Sequence, residues 1–145
     1  HANCTWIMGY PGETIQDLKT SAAFILWQKE LYLNGLAPGS QEYQMALNSV
    51  NQKMFTATAY PGTALFKEPV VKEALSKNFK ILFDKNGDPQ FDDAFKHYVT
   101  QLDDATKVLK NQKDEPLNFS DIPMEDFLKA RDFVDNDQLE RIMDM

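Results

Sequence analysis

Two short runs carry residue types and spacing that could serve a bound ligand. They are Gly9-Tyr10-Pro11-Gly12-Glu13-Thr14 and Ala59-Tyr60-Pro61-Gly62-Thr63-Ala64, in which Tyr-Pro-Gly recurs at an offset of 50 residues. Proline presets the first corner of a β-turn, and glycine supplies the positive φ that a type II turn needs at the second. What such a turn offers chemically is backbone, because a residue without Cβ lets amides and carbonyls approach a ligand closely. Taken singly, each Pro-Gly pair is a corner and no more. Glu13 is first a residue favoured near a helix N-terminus by the helix dipole. Other chemistries lack their residues: the sequence holds no Ser-His-Asp set, no phosphate loop and no His-x-x-x-His pair. Asp84-Lys85-Asn86-Gly87-Asp88 has calcium-ligand spacing, but Pro89 stands where an EF-hand loop needs glycine and Phe95 where it needs glutamate, so it reads as a turn. His97 reads as a solvated residue on the polar side of a helix. No catalytic residue and no metal ligand is assigned.

Both turns need elements to hold them. Cys4-Thr5-Trp6-Ile7-Met8 is an apolar run rich in β-formers that ends at Gly9, which suits a buried strand. Thr14-Ile15-Gln16-Asp17 resembles a capping box with Asp in place of Glu, and Ile15, Leu18, Ala22, Ile25 and Leu26 follow at helical spacing, predicting a helix from Thr14 to Tyr32. Turn residues 34–39 break it, and 40–50 holds a short second helix. Lys53 to Ala59 predicts a strand running into the second turn. A helix or irregular turn through Ala64, Leu65 and Phe66 follows, and Asn78 to Phe83 predicts a short strand. Phe91, Phe95, Tyr98, Val99, Leu102, Ala105, Val108 and Leu109 form a helical stripe. Ser120 or Asp121 with Pro123 opens a further helix through Phe127, Leu128, Phe133 and Val134, and 137–145 is predicted helical to its end. The acids of this tail, Asp103, Asp104, Glu125, Asp126 and Asp135 among them, read as a solvated face.

Composition narrows the function classes. A chain of 145 residues with 43% hydrophobic and 26% charged residues has room for one core with an appendage. The net charge of −7 argues against nucleic acid, whose binders gain affinity by neutralising phosphates with Lys and Arg. Cys4 is the only cysteine, which forbids an intrachain disulfide and an all-cysteine metal site and fits a reducing, cytoplasmic setting. No apolar run approaches a membrane span and no signal peptide is seen, so no membrane is expected, and the sequons at Asn3 and Asn118 carry no weight. A start at His1 without Met suggests a fragment of a longer chain.

Strand, Tyr-Pro-Gly turn, helix, strand and Tyr-Pro-Gly turn in that order are what consecutive βα units look like, with both turns at the C-terminal edge of a parallel sheet. At these motifs the sequence resembles the radical S-adenosylmethionine (radical SAM) enzymes. Ile7-Met8-Gly9-Tyr10-Pro11-Gly12-Glu13-Thr14 is similar to the family's fifth-strand segment, and Met54 through Leu65 to the sixth strand with its Pro-Gly-Thr ending, as in cobalamin-binding-type and methylthiotransferase-type members. The resemblance covers about Asn3 to Phe66. It implies two βα units of a partial (β/α) TIM-type barrel over residues 1–83, followed by a helical C-terminal appendage over 84–145. It also implies S-adenosylmethionine as cofactor, cleaved at an iron–sulfur (4Fe-4S) cluster to a 5′-deoxyadenosyl radical, with cobalamin in some members. By the same resemblance the backbone of Ile7, Met8 and Gly9 lies along the adenine. Tyr10, Pro11, Gly12 and Glu13 continue that wall, and Tyr60, Pro61, Gly62 and Thr63 close the neighbouring side of the cofactor pocket.

The departures from the family are definite. Cys-x-x-x-Cys-x-x-Cys is absent, as is the Asp-x-His-x-x-Gly cobalamin signature. Thr5 stands where many members have glycine, and the acid falls at Glu13, one later than the general form. The chain therefore reads as the C-terminal segment of an enzyme whose cluster ligands lie elsewhere, inactive alone, with a small-molecule substrate and the rest of its own polypeptide as partners. Its strands should expose unpaired edges that other barrel strands cover. The alternative is an acidic α/β protein-interaction module without catalytic activity, whose tail helices bind a partner.

Overall fold

The computed structural model describes residues 1–103 and 108–145; Asp104 and Ala105 of the readings above lie outside the described residues. Among the described residues the chain is mixed α/β, with more helix than strand and one two-stranded parallel sheet. In chain order the elements are β1 (Ala2–Met8), α1 (Ile15–Leu33), α2 (Gln41–Leu47), β2 (Val50–Thr56), α3 (Ala64–Lys67), α4 (Pro69–Phe79), α5 (Asp93–Gln101), α6 (Met124–Asp135) and α7 (Glu140–Met143). They form two compact units. One comprises His1–Met8, Glu13–Phe55 and Asp121–Met145, the other Gly9–Gly12 and Thr56–Ser120.

The first unit is a βαβ arrangement closed by the end of the chain. Alternation along β1 turns Trp6 and Met8 into the core and leaves Asn3, Thr5 and Ile7 outside. Leu18, Ala22 and Ile25 bring one face of α1 onto that core, and Ile122, Phe127, Ala130, Val134, Leu139 and Ile142 complete it. α7 packs against α1. A polar tie joins three elements: Asp137, itself at φ 54°, accepts from Lys29 of α1 at 2.6 Å and from the Gln52 amide of β2.

The capping box at the start of α1 is formed as expected. The Thr14 hydroxyl accepts from the Asp17 amide at 3.3 Å, and the Asp17 carboxylate accepts from the Thr14 amide at 2.8 Å and from its hydroxyl at 2.7 Å. Those bonds from Thr14 hold the Asp17 carboxyl below its ordinary range. A folded pKa below the unfolded one means stabilisation present above the unfolded value and lost as pH falls through the folded one. Thr14→Ala should cost about 1 kcal/mol. It should also remove this increment of acid sensitivity, measured as the change in melting temperature between pH 7 and pH 3.

The second unit departs from the expected elements at three places. Residues 78–83 are not a strand: Pro69 at the first helical position opens α4, Val71 and Leu75 bury one face, and the helix runs to Phe79 before Lys80 takes a left-handed φ of 58°. Phe83 makes only an isolated antiparallel bridge to Pro89. The helix expected over 91–109 is shorter, capped by Asp92, whose carboxylate accepts from the Phe95 amide at 3.0 Å, and ending at Gln101. Leu109 is no part of that stripe, since its carbonyl accepts from the Leu117 amide at 2.9 Å in a hairpin.

That hairpin repeats the earlier one. Asp84 Oδ1 accepts from the amides of Asn86 (2.8 Å) and Asp88 (3.0 Å), and Asn111 Oδ1 from those of Lys113 (2.8 Å) and Glu115 (3.0 Å). Gly87 and Asp114 take the positive φ, and Phe83–Pro89 and Lys110–Pro116 close the two bridges. The Asp84–Asp88 loop is thus a side-chain-capped turn, as its sequence suggests.

Candidate functional site

The parallel sheet puts the C-terminal ends of β1 and β2 at one edge, and each strand's chain continues into a Tyr-Pro-Gly turn. Gly12 has φ 81° and Gly62 φ 87°, the values a type II turn requires at its second corner. A Cβ added at either glycine would meet nothing within 4 Å, so backbone conformation, not crowding, demands glycine. Gly12, Pro61, Gly62 and Thr63 are exposed, Tyr10 and Tyr60 keep exposed rings, and Pro11 is half-buried. Gly9 is buried at φ 89°, and its carbonyl accepts from the Phe119 amide at 3.1 Å.

The second turn is braced on both sides. The Thr63 amide and hydroxyl donate to the Tyr60 carbonyl at 3.1 and 2.7 Å, and the same hydroxyl accepts from the Phe66 amide at 3.3 Å, capping α3. One residue upstream, the Ala59 carbonyl accepts from the hydroxyl of Tyr98, whose side chain is fully buried on α5. Tyr98 packs edge-on against Phe79, with centroids 5.1 Å apart, so its hydroxyl is aimed by aromatic packing. Burial, and secondarily the Tyr60 phenol, raise the Tyr98 pKa well above the ordinary tyrosine value. Sequence periodicity assigned Tyr98 only to an apolar stripe; a Tyr among phenylalanines there was the available signal of a polar partner.

Tyr98→Phe leaves the Ala59 carbonyl without its donor and should cost about 1–2 kcal/mol. The raised pKa means that this tyrosine's contribution is present below the unfolded tyrosine pKa and is lost as pH rises above it. Denaturant midpoints of wild type and Tyr98→Phe should therefore converge between pH 9 and pH 11.

The other expected site residues fall in the first unit. Ile7 is exposed on the outer face of β1, the Met8 side chain is fully buried in the core, and Glu13 is half-buried with its carbonyl accepting from the Asp121 amide at 3.0 Å. Only the backbone of Met8 is left to face a ligand. A second feature escaped the sequence reading. A groove of about 620 Å³ runs beside β1, lined by residues 3–7 and by Thr20, Ser21, Phe24 and Gln28 of α1. Within it the Cys4 thiol donates to Gln28 Oε1 at 3.4 Å, and the buried indole N–H of Trp6 has no hydrogen-bond partner.

An iron–sulfur cluster does not fit the residues of this chain, which has one cysteine, and no group of three or more His, Cys, Asp or Glu side chains could hold a metal ion among the described residues. No described helix is long and apolar enough to cross a membrane. No protein-family model, no curated protein and no solved structure matches the chain.

Proposed function

We propose that the chain is the C-terminal segment of a radical SAM enzyme, two βα units of a partial barrel that contribute cofactor-pocket and substrate-side strands to 5′-deoxyadenosyl radical chemistry. The observation that carries this reading is that two parallel strands are each followed along the chain by a Tyr-Pro-Gly turn, with one intervening residue after β1 and three after β2. Backbone groups of residues 9–12 and 60–63, all in the second unit, bind and orient S-adenosylmethionine, and Tyr98 holds the Ala59 carbonyl one residue before the second turn. Ile7 and Phe55, which alternation leaves on the outer face of the sheet, are exposed and suit the interior layer of a barrel. The bound cofactor supplies the radical when a cluster held by cysteines elsewhere in the polypeptide reduces it; cobalamin, where used, also lies outside this chain.

The test is the complete reading frame. A Cys-x-x-x-Cys-x-x-Cys run upstream, with micromolar S-adenosylmethionine binding by the intact, cluster-loaded protein and 5′-deoxyadenosine formed on reduction, is the expected result. Absence of the cysteines together with no binding would leave the acidic α/β interaction module.

A further inference from the structure

We propose that the hollow where α4, α5 and the hairpin closed by Lys110 and Pro116 meet is a binding site for a small organic anion, a phosphate ester or a carboxylate whose apolar body lies against Phe79 and Val108. The hollow holds about 390 Å³, within the range of small-ligand sites, and lies wholly inside the second unit. It shares no residue with either Tyr-Pro-Gly turn and does not rest on the radical SAM reading. The chain carries 22 acidic residues against 15 Lys and Arg, so a hollow lined at random should show carboxylates. This one shows none among the described residues that line it, while Lys80, Lys110 and His97 all do line it. Local charge thus runs against the sign of the whole molecule, as a site that collects anions requires.

The donors are held by the elements around them. Asn78 at the end of α4 is spent on structure: its side-chain amide donates to the Ala74 carbonyl at 2.8 Å and its oxygen accepts from the Gln112 backbone amide at 3.2 Å. The Gln112 side chain donates in turn to the Lys77 carbonyl at 2.7 Å. The hairpin is thereby tied to the helix end, which sets Lys110 relative to Lys80. On α5, Gln101 Nε2 lies 2.8 Å from His97 Nε2. An amide nitrogen only donates, so His97 Nε2 accepts and Nδ1 carries the ring's donor proton. Lys110 donates to Asp114 at 2.9 Å, an exposed pair that leaves its other ammonium N–H groups for a ligand.

Lys80 supplies the observation that points to a ligand. It takes φ 58° directly after α4, a place glycine commonly fills because an L-side chain is strained there. Its amide donates to the Ser76 carbonyl at 3.0 Å, a bond that glycine would make as well. Its exposed side chain makes no hydrogen bond or ion pair with a described residue. Neither backbone nor packing asks for lysine; an ammonium at the rim of the hollow does.

The experiment follows the ring C2 protons of His97 and His1, the two histidines of the chain, by NMR. Phenyl phosphate, benzoate or uncharged phenol is added to the 145-residue chain at fixed pH and ionic strength. The His97 signal should move with at least one of the two anions and not with phenol, and the His1 signal with none of the three. The tighter anion assigns the site to phosphate esters or to carboxylates. Lys80→Gly should weaken that binding about tenfold through the loss of one charge contact, while its melting temperature stays the same or rises because glycine suits the position. Lys110→Gln should weaken it in the same direction. No movement of the His97 signal with either anion, equal movement with phenol, or unchanged affinity in folded Lys80→Gly overturns the proposal. Equal movement of both histidine signals is non-specific association and overturns it too.

Discussion

Deleting residues 121–145 should abolish folding of the unit built on β1, α1, α2 and β2. The segment supplies Ile122, Phe127, Ala130, Val134, Leu139 and Ile142, half of the twelve buried residues in that core. Five of them are large, and each is worth about 2 kcal/mol on burial, so the deletion removes on the order of 10 kcal/mol. That equals the whole stability of an ordinary domain. The anchor Asp137, to which Lys29 and Gln52 are tied, goes with it. Trp6 and Trp27 both lie in this unit, and Trp6 is buried, so its emission should move to the red and near-ultraviolet circular dichroism should vanish. A chain ending at Ser120 that kept Trp6 buried would make residues 121–145 separable from that core, as an appendage read from sequence alone would be.

The same segment shows where sequence reading stops. The first strand, the long first helix and its cap were legible because their signals are local: alternation in 4–8, helical spacing from Ile15 to Leu26, and a Thr–Asp pair three residues apart; the second strand was read three residues late, at Lys53–Ala59, where β2 runs Val50–Thr56. The α6 helix was legible too, from Pro123 and the spacing of Phe127 and Val134. Its destination was not, because an apolar stripe carries no address, and Phe127 could pack on any core in the chain. The strand expected at 78–83 failed for a local reason. Its β-formers Phe79, Ile81 and Phe83 alternate, but α4, opened by Pro69 and buried through Val71 and Leu75, extends to Phe79 before a left-handed Lys80 reverses the chain. The repeated hairpins were half legible: Asn86-Gly87 marks the first, while Asp114 at φ 62° does the work of a glycine in the second and hides it. Of the candidate site, both turns were legible, being set by Pro-Gly chemistry. The Tyr98 brace and the groove beside β1 were not, since both depend on residues far apart in sequence.

On the radical SAM reading proposed above, Gly62→Val in the complete protein should weaken S-adenosylmethionine binding about tenfold, while Gly62→Asn separates the two reasons for a glycine. An L-residue held at left-handed φ costs about 1–2 kcal/mol, and a β-branched one is least tolerant of it. The valine variant therefore relaxes the turn, and a ligand that needs the native turn must restore it; 1.4 kcal/mol of that cost is a factor of ten in Kd. Asparagine visits the left-handed region readily, and a Cβ at Gly62 meets nothing within 4 Å of the protein itself, so Gly62→Asn keeps the turn. If only turn geometry matters, the asparagine variant binds like wild type. If the cofactor passes against the glycine, the new side chain stands in its path and both variants bind weakly. Glu13→Gln should change affinity by less than threefold, because a residue beside a helix N-terminus acts through dipole effects of about 1 kcal/mol or below. Binding is measured by titration calorimetry on cluster-loaded protein, with the melting temperature recorded beside it. Unchanged affinity in a folded Gly62→Val protein would withdraw the second turn from the site, and the same result at Gly12 would withdraw the first, leaving both as corners that only return the chain to its helices.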